Sequence, residues 1–141
     1  MLTSPAWLLK GMTGTVPGIL SWDDARLRLV TEAGVVLDAA PEDVVRVVWP
    51  RLWMGGGCKL TVGDQEHRVS FARPNGAPGI SDALLGNAHA VLGAALDVRS
   101  AVSSFNDAHQ GRQAGKRWRE LLDQQLAGGG RAQPSDGRSS G

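Results

Sequence analysis

Arg112, Lys116, Arg117 and Arg119 crowd around Trp118, with no acidic residue between positions 108 and 119. On a helix this spacing sets a cationic surface beside a narrow apolar side formed by Trp118, Leu121 and Leu122, with Gln125 in line. A basic amphipathic helix can lie on an anionic bilayer, bind RNA or dock on an acidic protein. Its Trp-Leu-Leu side can equally pack back onto the domain, and Glu120 and Asp123 offset part of its charge. A second unusual stretch is Trp49-Pro50-Arg51-Leu52-Trp53-Met54-Gly55-Gly56-Gly57. Three successive glycines do not suit a regular strand, so this is a loop. If Trp53 and Met54 stand at its tip, they make a membrane wedge or an anchor for a protein partner. The alternative is that Trp49, Trp53 or both fold back to close the end of the domain.

Catalytic chemistry has less to draw on. His67, His89 and His109 lack metal-ligand spacing, and no Cys/His pair accompanies Cys58. Ser70, Ser103 and Ser104 have no nucleophile-elbow context. The adjacent carboxylates Asp23-Asp24 and Glu42-Asp43 sit where acids serve turns and caps. The glycines match neither a P-loop nor a dinucleotide fingerprint. No enzyme activity, cofactor, metal or small-molecule substrate is inferred.

The elements that must position these residues read as short strands followed by helix. Arg26-Leu27-Arg28-Leu29-Val30-Thr31 alternates in the period of a strand with one dry and one wet face. Gly18-Ile19-Leu20-Ser21-Trp22 pairs with it across Asp23-Asp24-Ala25. Val35 to Asp38 and Val44 to Trp49 follow, parted by Ala40-Pro41-Glu42-Asp43, one helical turn with proline near its start. Lys59 to Val62 and His67 to Phe71 form a further hairpin around Gly63-Asp64, with Leu60, Val62, Val69 and Phe71 on its apolar side. An earlier strand is expected over Trp7 to Met12.

Ser81 or Asp82 caps the helix that comes next. Leu84, Val91, Val98 and Phe105 recur every seven residues, with Ala88, Ala95 and Val102 between them. The stripe predicts a helix of about 25 residues, roughly 37 Å long, whose first half covers the open side of the sheet. Gly86, Gly93 and Ser100 share another face, where a second backbone, from the sheet or from another copy of the chain, can approach. A second helix runs from about 108 to 127, and 128–141 reads as a low-complexity disordered tail.

The order Gly18-Ile-Leu-Ser-Trp, Arg26-Leu-Arg-Leu-Val-Thr, Val36-Leu-Asp, Pro41-Glu-Asp-Val, Leu60-Thr-Val and His67-Arg-Val-Ser-Phe resembles the strand rhythm of GRAM and pleckstrin-homology (PH)-like domains. The resemblance covers roughly residues 6 to 107. It implies a mainly β, α+β fold: a bent antiparallel sheet or barrel of six or seven strands, capped by the long helix. It also implies lipid or protein binding. Many PH domains hold inositol phosphates through an early lysine and an Arg-x-Arg, for which Lys10, Arg26 and Arg28 have the right residue types. The fifteen positions between Lys10 and Arg26 exceed the family's usual spacing, and the arginines also serve as the wet face of a strand.

The 141 residues suit one domain, 1–107, with a basic helical extension, 108–127, and a tail. A formal charge of +1 gives no whole-chain field for nucleic acid or membrane, so an electrostatic partner must meet a local patch. Nucleic acid is not an expected partner. A lone cysteine and the absence of a leader or sustained apolar run point to a cytoplasmic location, free or at the membrane surface. The excess of arginine over lysine and the abundance of Ala, Gly and Val suit a GC-rich bacterial genome. Two readings stay open. One is a protein-binding or self-associating module using a sheet edge and the long helix with Gly86, Gly93 and Phe105. The other is a peripheral module meeting anionic lipid through Trp53, Met54 and the basic helix.

Overall fold

The computed structural model describes residues 2–12, 14–23, 25–74, 76–93 and 108–128. Seven strands form one antiparallel sheet: β1 (Leu2–Lys10), β2 (Gly14–Asp23), β3 (Arg26–Thr31), β4 (Gly34–Ala39), β5 (Val44–Val48), β6 (Gly57–Val62) and β7 (Gln65–Ser70). Helix α1 spans Asp82–Leu92 and helix α2 spans Ala108–Gly128. Strand order is β4-β3-β2-β1-β7-β6-β5, so β4 and β5 are the two edges. Yet Ala39 ends β4 and Val44 begins β5, a separation the chain spans with at most about 18 Å. Six strand spacings would part the edges of a flat sheet by roughly 29 Å. The sheet therefore has to curl, and Pro41–Asp43 makes the expected helical turn between its edges.

Period-2 alternation then decides what lies inside. Ala6, Leu8, Leu20, Trp22, Leu27, Leu29, Leu37, Ala39, Val44, Cys58, Leu60 and Val69 form one buried cluster drawing on all seven strands. The element that fills this inner face is α2, which adds Ala114, Trp118 and Leu122 to the same cluster. Trp118 is 0% exposed, and its indole N–H donates to Ser4 Oγ at 2.8 Å. The expected arrangement, in which the helix beginning at Ser81 covers the open side, is thus corrected. α1 lies on the outer face, where Leu84, Ala88 and Leu92 pack on Ile19 and Val30. Ser81 caps it as expected, accepting from the Leu84 N–H at 3.1 Å. Asn87 Nδ2 ties it to the Thr31 and Glu32 carbonyls.

Other boundaries also move. β1 begins at Leu2 rather than Trp7; β7 pairs with it only at Trp7 and Leu8, so Pro5 sits where a missing donor is tolerated. α1 ends at Gly93, whose φ of 96° a side chain rarely adopts, so Gly93 is a terminator rather than an interior position. The predicted continuation through Val98, Ser100 and Phe105 lies outside the described residues, as does the tail after Gly128. The second helix, expected over about 108 to 127, is α2. α2 shares the core of the strands.

Glycines of the two helices behave oppositely. Gly86 is exposed and a methyl group there would meet nothing within 4 Å, so the close backbone approach expected at this position is not made by any of the described residues. A methyl group on Gly111 would come within 2.6 Å of Ala72 Cα, and one on Gly115 would collide with the Gly55 carbonyl oxygen. Replacing Gly86 by Ala should accordingly raise stability by up to about 1 kcal/mol through helix propensity. Gly115→Ala should lower it by about 1–3 kcal/mol through overpacking. Urea unfolding of the two variants checks the contrast; equal effects would contradict this packing.

Candidate functional site

The loop between β5 and β6 is a set of tight turns. Trp53 N–H donates to the Pro50 carbonyl at 3.1 Å, Met54 N–H to Arg51 at 3.1 Å and Gly56 N–H to Trp53 at 2.8 Å. The Phe71 N–H reaches the Gly56 carbonyl at 2.7 Å, fastening the loop to the end of β7. Met54 adopts left-handed backbone, φ 54°, a conformation uncommon away from glycine. It turns the chain so that the apolar side chains diverge. Leu52 is 93% exposed and Met54 71%, whereas Trp53 is half-buried. The tip is therefore Leu52 and Met54; Leu52 was not singled out in the sequence, which marks a loop there but not which way each residue faces.

The two tryptophans take separate roles. Trp49 stacks on Phe71 with ring centroids 6.4 Å apart, and Phe71 stacks on Trp118 at 6.0 Å. Arg119 closes the outer end of this stack, its guanidinium carbon 5.8 Å from the Trp49 centroid. Trp53 instead leans on Gly57 and lines a pocket of about 340 Å³ with Leu9, Met54, Ala72, Pro74 and two arginines, Arg73 and Arg112. Here the tryptophan loop and the basic helix, distant in sequence, meet. Lys116 and Arg117 are exposed further along α2. Trp118 is in the core and is unavailable to a partner.

Charge is segregated around this end. Residues 49–57, 70–74 and 111–119, which form the loop, the segment after β7 and the start of α2, contain no Asp or Glu, although the whole chain carries only +1. Among the described residues, the ion pairs are Arg26 with Asp38 at 2.7 Å and Arg28 with Asp38 at 3.7 Å. Arg51, Arg73 and Arg112 are exposed and, among the described residues, meet no carboxylate. Gly111 and Gly115, which seat α2 against Ala72 and against the loop at Gly55, carry a signal that could have been read: two glycines one turn apart inside a helix each cost about 1 kcal/mol unless a backbone comes close.

The anion site imagined for Lys10, Arg26 and Arg28 is not assembled. Lys10 lies opposite Gly14 at one end of β2, while Arg28 and Arg26 lie opposite Ser21 and Asp23 at the other. At about 3.3 Å per residue these positions are roughly 23 and 30 Å apart. The two arginines instead share one carboxylate, Asp38 on the adjacent strand. Gly93, at the end of α1, and the exposed Gly86 do not join the pocket, and Phe105 is outside the described residues.

Titratable groups nearby do not form a reactive set. Burial pushes the Cys58 thiol up to about 12, so it stays protonated at neutral pH. His67 is held below its ordinary 6.5, first by burial and then by the charge of Lys10. Among the described residues, no three His, Cys, Asp or Glu side chains group as a metal site. No helix described is long and apolar enough to cross a membrane. No protein-family model, curated protein or solved structure matches this chain.

The depressed His67 pKa means that the fold favours neutral imidazole. Its contribution to stability is full above 6.5 and is lost as pH falls through the lower folded value. In an NMR titration, Lys10→Gln should move the His67 pKa upward, while Arg28→Gln should leave it unchanged. A shift from Arg28→Gln would contradict the register that parts these residues.

Proposed function

We propose that this chain is a non-catalytic interaction module that meets an anionic lipid surface through the Arg51–Gly56 turn and the start of α2. One observation carries the reading: the two exposed apolar side chains Leu52 and Met54 stand on a turn whose charged neighbours, Arg51, Arg73 and Arg112, are all cationic and meet no carboxylate among the described residues. Burying a large apolar side chain contributes about 1.5–3 kcal/mol, and each cation near an anionic surface about 1 kcal/mol. Neither alone makes a strong contact, but the turn presents both together. In finer detail we read the fold as PH/GRAM-like. The seven antiparallel strands and the hairpins at the quoted segments support that reading, with α2 rather than the helix directly after β7 occupying the inside.

Self-association through a sheet edge is the weaker reading. Both edge strands carry a bulge at an exposed valine: Val45 is the extra residue in β5, and Val36 is the extra residue in β4. Bulges of this kind twist an edge away from further pairing.

Co-sedimentation with anionic vesicles should show binding that weakens as salt rises from low to physiological strength, with little binding to neutral vesicles. Leu52→Ser with Met54→Ser should reduce partitioning at least tenfold, as should Arg51→Glu with Arg112→Glu. Unchanged partitioning in both double variants would overturn the proposal.

A further inference from the structure

A surface wedge needs only projecting apolar atoms, yet this one has a concavity behind it. The pocket of about 340 Å³ lies at the low end of the small-ligand range, roughly 300–1,000 Å³. Its wall is predominantly apolar, from Leu9, Trp53, Met54, Ala72 and Pro74, and its two charged groups are both guanidinium. Arg73 comes from the segment after β7. Its Nε donates to the Ala77 carbonyl at 2.9 Å, which holds the side chain and leaves its terminal N–H groups as donors. Arg112 comes from α2, whose place is set by the contacts of Gly111 with Ala72 and Gly115 with Gly55. Two cations on separately anchored elements, over an apolar wall without a carboxylate, match a ligand with one anionic head and one apolar chain.

We propose that this pocket binds a single-chain anionic amphiphile, a carboxylate or a monoalkyl phosphate. Its head is held by Arg73 and Arg112, and its chain lies along Leu9, Trp53 and Pro74. The assignment rests on the lipid-facing reading of this end and goes beyond it in requiring a saturable site for one molecule. The head group is the same whether the amphiphile arrives free in water or from a bilayer, and the two sources separate by experiment.

The full chain is titrated calorimetrically with monoalkyl phosphates of increasing chain length, each below its micelle concentration, with inorganic phosphate and with anionic vesicles. The expected result is one molecule per chain, with affinity rising about fourfold per added methylene until the pocket is full, then levelling. Inorganic phosphate should bind at least tenfold more weakly than the best alkyl phosphate. Leu9→Trp, which fills the pocket but spares the tip, should abolish monomer binding and keep vesicle binding. Arg112→Gln, at an exposed position that does not threaten folding, should weaken monomer binding at least fivefold. Vesicle binding without saturable monomer binding would overturn the pocket and leave the surface reading standing. Monomer binding without vesicle binding would do the reverse. Equal affinity for inorganic phosphate, or indifference to both variants, would also overturn the amphiphile site.

Discussion

The seating of α2 inside the curled sheet is the contact on which the rest of this structure depends. It is possible because two helix positions, Gly111 and Gly115, present no side chain to Ala72 and to the Gly55 carbonyl. With the backbones that close, Trp118 reaches the centre of the inner face, donates to Ser4 and stacks on Phe71. A helix in this position also determines where its cations go. Arg112 lands beside the Trp53–Met54 turn and Arg119 lands over Trp49. The same interaction therefore completes the hydrophobic core and builds the candidate site.

Electrostatics and packing reinforce one another at that end. A chain of net charge +1 has no reason to attract an anion as a whole. Acids elsewhere have their own partners: Asp38 pairs with Arg26 and Arg28, Glu32 accepts from Ser81, and Asp43 accepts from the Ala40 N–H. Among the described residues, Arg51, Arg73 and Arg112 meet no carboxylate around two exposed apolar side chains. The tip is held rather than loose, since consecutive backbone hydrogen bonds and the Phe71–Gly56 bond fasten it to the sheet. Little conformational freedom would be lost on contact, which favours binding.

Much of the sheet was legible because alternation is a local signal. Leu27, Leu29 and Val30, the Gly63-Asp64 hairpin and the Ser81 cap all follow from side-chain direction or from hydrogen bonds within a few residues. What was not legible depends on which elements meet. The apolar stripe Leu84, Ala88 is real, but its period cannot say which face of a sheet it covers, and it covers the outer one. The Trp-Leu-Leu side of the second helix looked equally fit for a bilayer; Trp118 and Leu122 are in the core. Lys10 and the Arg26/Arg28 pair had the right residue types for one anion site, and register alone parts them. The tryptophan loop was marked by its glycines, yet the direction of Leu52, Trp53 and Met54 is set by a left-handed turn at Met54, which no periodicity reveals.

Taken together, the curl of the sheet brings its edges round, α2 fills the inside, and the turn gripped by α2 faces outward with its cations. The central claim is that this turn is the binding surface. Hydrogen–deuterium exchange of the whole chain, with and without anionic vesicles, tests it most directly. The account predicts slowed exchange over residues 51–57 and the first two turns of α2, with β4 and α1 unchanged. Protection at β4 or α1 with the 51–57 turn unaffected would contradict it.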